Sequence, residues 1–468
     1  MHVDVNTRSK NGNLKVELTD RFYVSYAVFY VMGILMNVPY HFYINAIGYW
    51  MFKFESSGPR HRSFPLRPTD FPHGSSHQIS VTNKYVREQL WATSENYLLT
   101  LNETTPLQTN FASSFSIVAR GSMLVSILVV TYFSNRFPPA EKRIIFALSV
   151  IFILFGISTV LTRVDTSGKT ELFFAVSIII TTLMNFFSAT AIISAFQLLK
   201  NFPTSYYPAL HSGHSICGVI ASLFQVILIS TRMSSQSNGT YYFGFGTLII
   251  FISTLFMTMV NKKSRYFIYR VNTTRMIMDE NWTANNVSNR TREKLVSGLL
   301  RTKWYYASFL FVQGSTAMIF PGFTALVVSE NMHGTTWEKL YFRPVVSFLT
   351  FNAFNLIGRE AAKIVKTPKH GIHVMIPALL RVALVPLIIF CNAHPRRHLP
   401  VFFGDEWYIT FLAIFAFTEG IIVNISFLVI SSVAKEEEVE MMLLLIPVAA
   451  FFTTTLCSGF NILITNFI

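Results

Sequence analysis

The chain has 468 residues, of which 51% are hydrophobic and only 13% charged, and 45 are Phe. A soluble chain of this length needs about a quarter of its residues charged to cover its surface, so a soluble globular domain is excluded. The excess of 38 Lys and Arg over 24 acids reads as basic flanks of membrane spans, not as a nucleic-acid footprint, and three Cys make no disulfide framework.

A polar tail, residues 1–21, comes first. An apolar run then extends from Phe22 to Trp50, and others follow at 111–133, 144–162, 172–199, 209–230, 241–260, 305–328, 341–358, 371–392, 407–434 and 441–468. Most reach the roughly 20 residues that a helix needs to cross hydrocarbon. None alternates with the period of two that marks a barrel strand. The pattern predicts an all-α polytopic membrane protein of about eleven transmembrane helices. The first run is too long for a cleaved signal, and Pro39-Tyr40-His41 interrupts it. Two runs test the count. The run 341–358 ends in Gly358-Arg359-Glu360, and 371–392 contains Arg381 and Pro386; a re-entrant segment at either would lower it to ten.

Residues 22–260 then form a six-helix bundle that includes an outer loop, 53–108. A basic loop, 261–304, separates it from a five-helix bundle, 305–468. The basic loop holds ten Lys or Arg against three acids, and the connection 361–370 holds three Lys and no acid. Such excesses mark the cytosolic side. The N-terminus is therefore expected in the cytosol and the C-terminus outside, with the plasma membrane as the expected location. The basic loop is also suited to anionic lipid. Glycan-acceptor triplets at Asn102 and Asn238 fall outside and are the expected modification sites, whereas those at Asn272, Asn281 and Asn286 fall inside and are read as chance.

Ionisable groups within the apolar runs carry the functional signal. An Arg or Asp at mid-bilayer costs about 2.5–3.5 kcal/mol on insertion scales, so such groups face a partner or a wet cavity. The candidates are His41, Arg120, His211, His214, Arg359, Glu360, Arg381 and Glu419. Arg381, far from either end of its run, is the strongest of them; an ion pair or gate comes first for each Arg and ligand contact second. Arg143, at a span start, is suited to a gate or to snorkelling. The histidines are core donors by default, with proton coupling as the functional reading. Tyr40 and Tyr43 share a helix face and are placed to wall a planar ligand. There is no Walker sequence, no Gly-x-Ser-x-Gly and no His-Glu-x-x-His. His211 and His214 lack a third metal ligand nearby. No enzyme, cofactor or metal is expected.

Several motifs now fall in order. They are Pro39-Tyr40-His41-Phe42-Tyr43 in the first run, Phe202-Pro203-Thr204-Ser205-Tyr206 and Ser212-Gly213-His214…Gly218 around the fifth, and Phe320-Pro321 in the seventh. Phe351-Asn352-Ala353-Phe354-Asn355-Leu356-Ile357-Gly358-Arg359 lies in the eighth, and Arg381…Pro386…Cys391-Asn392 in the ninth. In sequence and spacing they resemble the equilibrative nucleoside transporter family. The resemblance implies a major-facilitator-like architecture with one span fewer, and passive passage of nucleosides, or in some members nucleobases or organic cations. It also implies a substrate site at Tyr40, His41, Ile192, Ser194, Asn355 and Arg359, with Arg143, His214, Arg381 and Glu419 in gating or ion-pair roles.

The departures from the family pattern lie in that site. Tyr40 replaces a Trp, His41 an Asn, His214 a Gln and, on an ungapped match, Ile192 a Gln that binds the base. Ser194 is retained. Asn355 replaces the Asp that resembles half of a ribose-binding pair, while its partner Arg359 remains. Glu419, in Thr418-Glu419-Gly420, is the expected substitute counter-charge for Arg359, with Glu360 competing. The expected function is facilitative nucleoside transport by alternating access between residues 1–260 and 305–468. The alternatives are proton-linked nucleoside transport, or transport of a nucleobase or organic cation. The oligomeric state is left open, and a monomer suffices for this reading.

Overall fold

The computed structural model describes residues 20, 23–54, 105–133, 136–166, 168–203, 206–272, 287–331, 335–365, 368, 370–396 and 398–467. Most of the tail 1–21, most of the outer loop 53–108 and residues 273–286 of the basic loop lie outside this set. So do the triplets at Asn102, Asn281 and Asn286.

Within it, every apolar run is helical over most of its length. The first run is three helices, α1 (Val24–Leu35), α2 (Val38–Asn45) and α3 (Ile47–Lys53). Pro39, in the first turn of α2, has no N–H with which to continue the ladder of α1. The Asn37 side chain fills the break by donating to the Gly33 carbonyl at 2.8 Å, and the two axes differ by 42°. Helix α4 (Pro106–Tyr132) opens on a capping box between Thr105 and Gln108. Helices α5 (Ala140–Leu161), α6 (Thr170–Leu199), α7 (Tyr207–Ser230) and α8 (Ser235–Lys263) complete the first half.

The second half begins with α9 (Val287–Ile319). This helix starts well before the expected span boundary at 305, because hydropathy marks the edge of hydrocarbon and charged residues such as Lys and Arg continue a helix readily. The stretch Trp337–Tyr341 and Arg343–Leu349 is wound with wide π-type turns and runs into α10 (Thr350–Ala362). Helices α11 (Ile372–Val382), α12 (Leu384–Ile389), α13 (Asp405–Val433) and α14 (Glu436–Phe467) follow. Among the described residues the only β pairing is two isolated bridges, Val327 with Ala393 and Cys391 with Phe403.

By length and composition, eight of the described helices are able to cross a membrane, or nine if the bent α1–α2 pair is one span. The expected count of eleven is not reached on that test. Two runs fall short. Helix α9 carries Tyr305, Tyr306, Gln313, Ser315 and Thr316 in its apolar half, and the run ending in α10 is divided by its wide turns.

The halves meet along two seams, α7 against α10 and α4 against α14. Small residues let backbones close, as in other membrane bundles. A Cβ on Gly33 or Gly213 would strike the opposite backbone between α1 and α7, and one on Gly358 or Gly420 would do so between α10 and α13.

Candidate functional site

Helix α2, buried along its whole length, carries Tyr40 and His41 into the centre of the molecule. The Tyr40 hydroxyl accepts from Arg120 Nη2 at 3.1 Å, and its ring lies 5.9 Å from that of Phe115. His41 is 4% exposed and neither ring nitrogen has a hydrogen-bond partner. The ring of His214 stands edge-on to it at 5.3 Å. Gly218, four residues along α7 from His214, leaves the space in which the His41 ring and the Asn352 amide meet. From there a polar chain crosses between the halves. Asn45 donates to the His41 carbonyl at 2.7 Å, Ser222 donates to the Asn45 amide oxygen at 2.8 Å, and Asn352 donates to Ser222 at 3.0 Å.

A second crossing lies at Arg359, which is 5% exposed. Its Nε donates to Asn355 Oδ1 at 2.9 Å and its Nη1 to the His211 carbonyl at 2.7 Å. Ser215 donates to the same Asn355 oxygen at 2.6 Å. Asn355 and Arg359, one turn apart, are therefore joined by an amide oxygen that accepts a hydrogen bond and cannot neutralise charge. The close approach of Gly358 and Gly420 holds this turn against α13, and Asn424 fixes it further by donating to the Arg359 carbonyl at 2.7 Å. The arrangement offers buried donors, a flat Tyr ring and an unpartnered imidazole where the two halves meet. Among the described residues no cluster of three His, Cys, Asp or Glu is placed to hold a metal ion.

A family model described as "Nucleoside transporter" matches residues 178–462. The chain belongs to the nucleoside transporter family. Equilibrative nucleoside transporter 1 of Homo sapiens is 25% identical to it over 433 residues, covering 87% of this chain and 89% of that protein. Equilibrative nucleoside transporter 3 of Rattus norvegicus is 24% identical over 421 residues, covering 86% and 80%. Among solved structures, a D-xylose-proton symporter superposes with a TM-score of 0.55 at 10% identity, covering 93% of this chain and 88% of that one. That likeness shows the fold, an all-α, multi-pass, major-facilitator-like membrane protein, and the family match makes the chain a transporter.

In this member of the nucleoside transporter family the other expected residues are dispersed. Ser194 donates to the Thr190 carbonyl of its own helix at 2.6 Å. Ile192 is half-buried and packs against the cluster of Met123, Ile127, Val130, Ala189 and Ile193, which Leu444, Val448 and Phe451 of α14 also cover. Arg143 donates to Gln197, a bond that ties α5 to α6 within one half, while its Nε and Nη1 are buried without partners.

Arg381 is fully enclosed by its own half. It donates to the Phe415 carbonyl at 3.1 Å, the Val312 carbonyl at 3.0 Å, Thr316 Oγ1 at 2.6 Å and Ser315 Oγ. Its guanidinium lies 3.5 Å from the Phe415 ring centroid. Glu419, expected beside Arg359, makes its ion pair with Arg381 at 3.7 Å. The reason is directional: Arg359 leaves α10 toward α7, whereas Glu419 leaves α13 toward α11. Glu360 is also engaged elsewhere, accepting from Ser212 at 2.6 Å and pairing with Lys363 at 2.7 Å.

Asn238 lies in the first turns of α8 and is only 9% exposed. A glycan there would require the packing to open, so the acceptor expected at Asn238 is not supported.

The spacing of motifs left several participants without a role. Arg120 stood out as a charge within an apolar run but matched no motif. Ser215 and Ser222 are seven apart, two turns on one face of α7, a repeat that does signal a polar stripe. Asn424 had no such signal, because what it holds is a backbone carbonyl.

Proposed function

We propose that this protein carries nucleosides down their concentration gradient by alternating access of residues 1–260 against residues 305–468. The observation that supports it is the polar junction of α2, α7 and α10 in a chain of this family: two separate hydrogen-bonded crossings join the halves there, at Ser222–Asn352 and His211–Arg359. Tyr40, His41, Asn355 and Arg359 line the substrate path in this reading, and Ser194 and Ile192 contribute the α6 wall. The basic loops 261–304 and 361–370 favour a cytosolic N-terminus and an extracellular C-terminus, in the plasma membrane.

The test is radiolabelled adenosine and uridine uptake into proteoliposomes of the purified chain. Saturable uptake that stops at equal inner and outer concentration is expected. Arg359→Ala should abolish most of it while the protein still elutes as the folded species. Absence of uptake by folded wild type would overturn the reading.

The unpartnered His41 imidazole favours one variant of this function, in which a proton moves with the nucleoside. An inward proton gradient would then drive uptake above equilibrium. A flat response to that gradient would leave the passive carrier alone standing.

A further inference from the structure

The charges at the junction do not balance. Arg120, on α4, reaches Tyr40, the neighbour of His41, and Arg359, on α10, reaches His211, one turn from His214, whose ring stands 5.3 Å from that of His41. They are thus drawn from opposite halves to one place. Arg120 has the Tyr40 hydroxyl as its hydrogen-bond partner and lies 4.9 Å from the Tyr40 ring centroid, while its Nε is buried without a partner. Arg359 is held by an amide oxygen, a carbonyl and the His211 Nδ1 at 3.3 Å, all of them uncharged acceptors. Neither guanidinium forms an ion pair among the described residues.

The acids that could serve them are engaged elsewhere. Glu360 pairs with Lys363. Glu419 touches Arg381 and reaches Arg359 only at longer range. One carboxylate therefore answers three guanidiniums: Arg120, Arg359 and Arg381. Asn355, the side chain bonded to Arg359 Nε, is an amide and carries no charge that would reduce this surplus. Uncompensated charge inside a membrane protein is costly and persists where a wet cavity or a ligand offsets it. A neutral solute cannot do so. An anion can, and each guanidinium would gain a charge-assisted hydrogen bond.

We propose that the junction prefers nucleosides that bear one negative charge on the heterocycle, with the anion between Arg120 and Arg359 and the ring beside Tyr40. This rests on the nucleoside-carrier reading and names the substrate class within it. Asn355 is then the specificity-determining residue, because its side chain decides whether Arg359 is free to meet an anion.

The full chain in proteoliposomes would be given three probes: uridine, orotidine, which adds an ionised carboxylate to the same ring, and the uncharged methyl ester of orotidine. Orotidine is expected to exceed both others in kcat/KM by about tenfold, the order of one charge-assisted contact. The ester separates charge from shape. Asn355→Asp, which restores a carboxylate, should bring orotidine down to the level of uridine. Arg120→Gln should lower orotidine uptake more than uridine uptake, and Arg120→Lys should keep the order of the probes. Gel filtration and thermal unfolding show that each variant is folded.

If uridine and the ester match or exceed orotidine, the charge preference is overturned and the carrier stands. An orotidine preference that survives both Asn355→Asp and Arg120→Gln would place recognition elsewhere and also overturn it. If no probe enters folded wild type, the nucleoside-carrier reading fails as well.

Discussion

Arg381 and Arg359 are both buried arginines on the C-terminal half, and their surroundings assign them opposite work. Arg381 has carbonyls, hydroxyls, a carboxylate and an aromatic face around it, all from α9 and α13. It pins those helices to α11. Removing one member of a buried pair typically costs about 3–5 kcal/mol, so Arg381→Ala is expected to lower the thermal unfolding midpoint of the purified protein sharply. The double variant Arg381→Met with Glu419→Leu should recover much of that loss, since neither charge is then stranded. Arg359 instead bonds across to the other half through the His211 carbonyl. Its substitution should affect uptake more than folding. A larger stability loss for Arg359→Ala than for Arg381→Ala would reverse this assignment.

At the scale of elements, what positions the site is close helix contact at glycine. Gly358 and Gly420 bring α10 onto α13, and a side chain on Gly420 would press on the Asn355 carbonyl and the Arg359 amide. Gly420→Ala is therefore expected to displace the turn that carries both residues. Overpacking of this kind costs about 1–3 kcal/mol, read as a lower unfolding midpoint together with reduced uptake. Gly121, whose Cβ would meet only Thr455 at 3.8 Å, is the control, and Gly121→Ala should be silent in both measurements. The break between α1 and α2 was legible at Pro39 because a missing N–H is a property of the residue itself. The early start of α9 was not, because charged residues beyond the bilayer edge are as helical as those within it are apolar.

At the scale of the molecule, one end of the C-terminal half is tied by Glu438, ahead of the membrane-crossing segment that begins at Met441. The Lys435 backbone N–H, then Ser297 and Arg301, hold its carboxyl below the usual carboxylate range. Ser297 donates to it at 2.9 Å and Arg301 lies 3.5 Å away. The folded pKa is thus lower than the unfolded one. The stabilisation is complete above the ordinary Glu value of about 4.3 and is lost as pH falls through that value toward the folded one. Unfolding midpoints measured across that window should decline for wild type, and the decline should be smaller in Glu438→Gln.

The sequence alone determined the helical class, the approximate positions of the apolar runs and the family, because each depends on composition, on length against a bilayer, or on motifs contiguous in the chain. It also named most of the buried ionisable groups, since a charge among apolar residues is conspicuous wherever it points. Which charge meets which was decided only by tertiary structure. Glu419 and Arg359 both belong to motifs and suggest a pair, yet their helices aim them at different neighbours. Arg120 belongs to no motif and comes to lie beside Tyr40. Direction around a helix axis depends on how the helices pack, and the packing is set by close approaches such as Gly33 to Gly213 and Gly358 to Gly420 between residues distant in the chain.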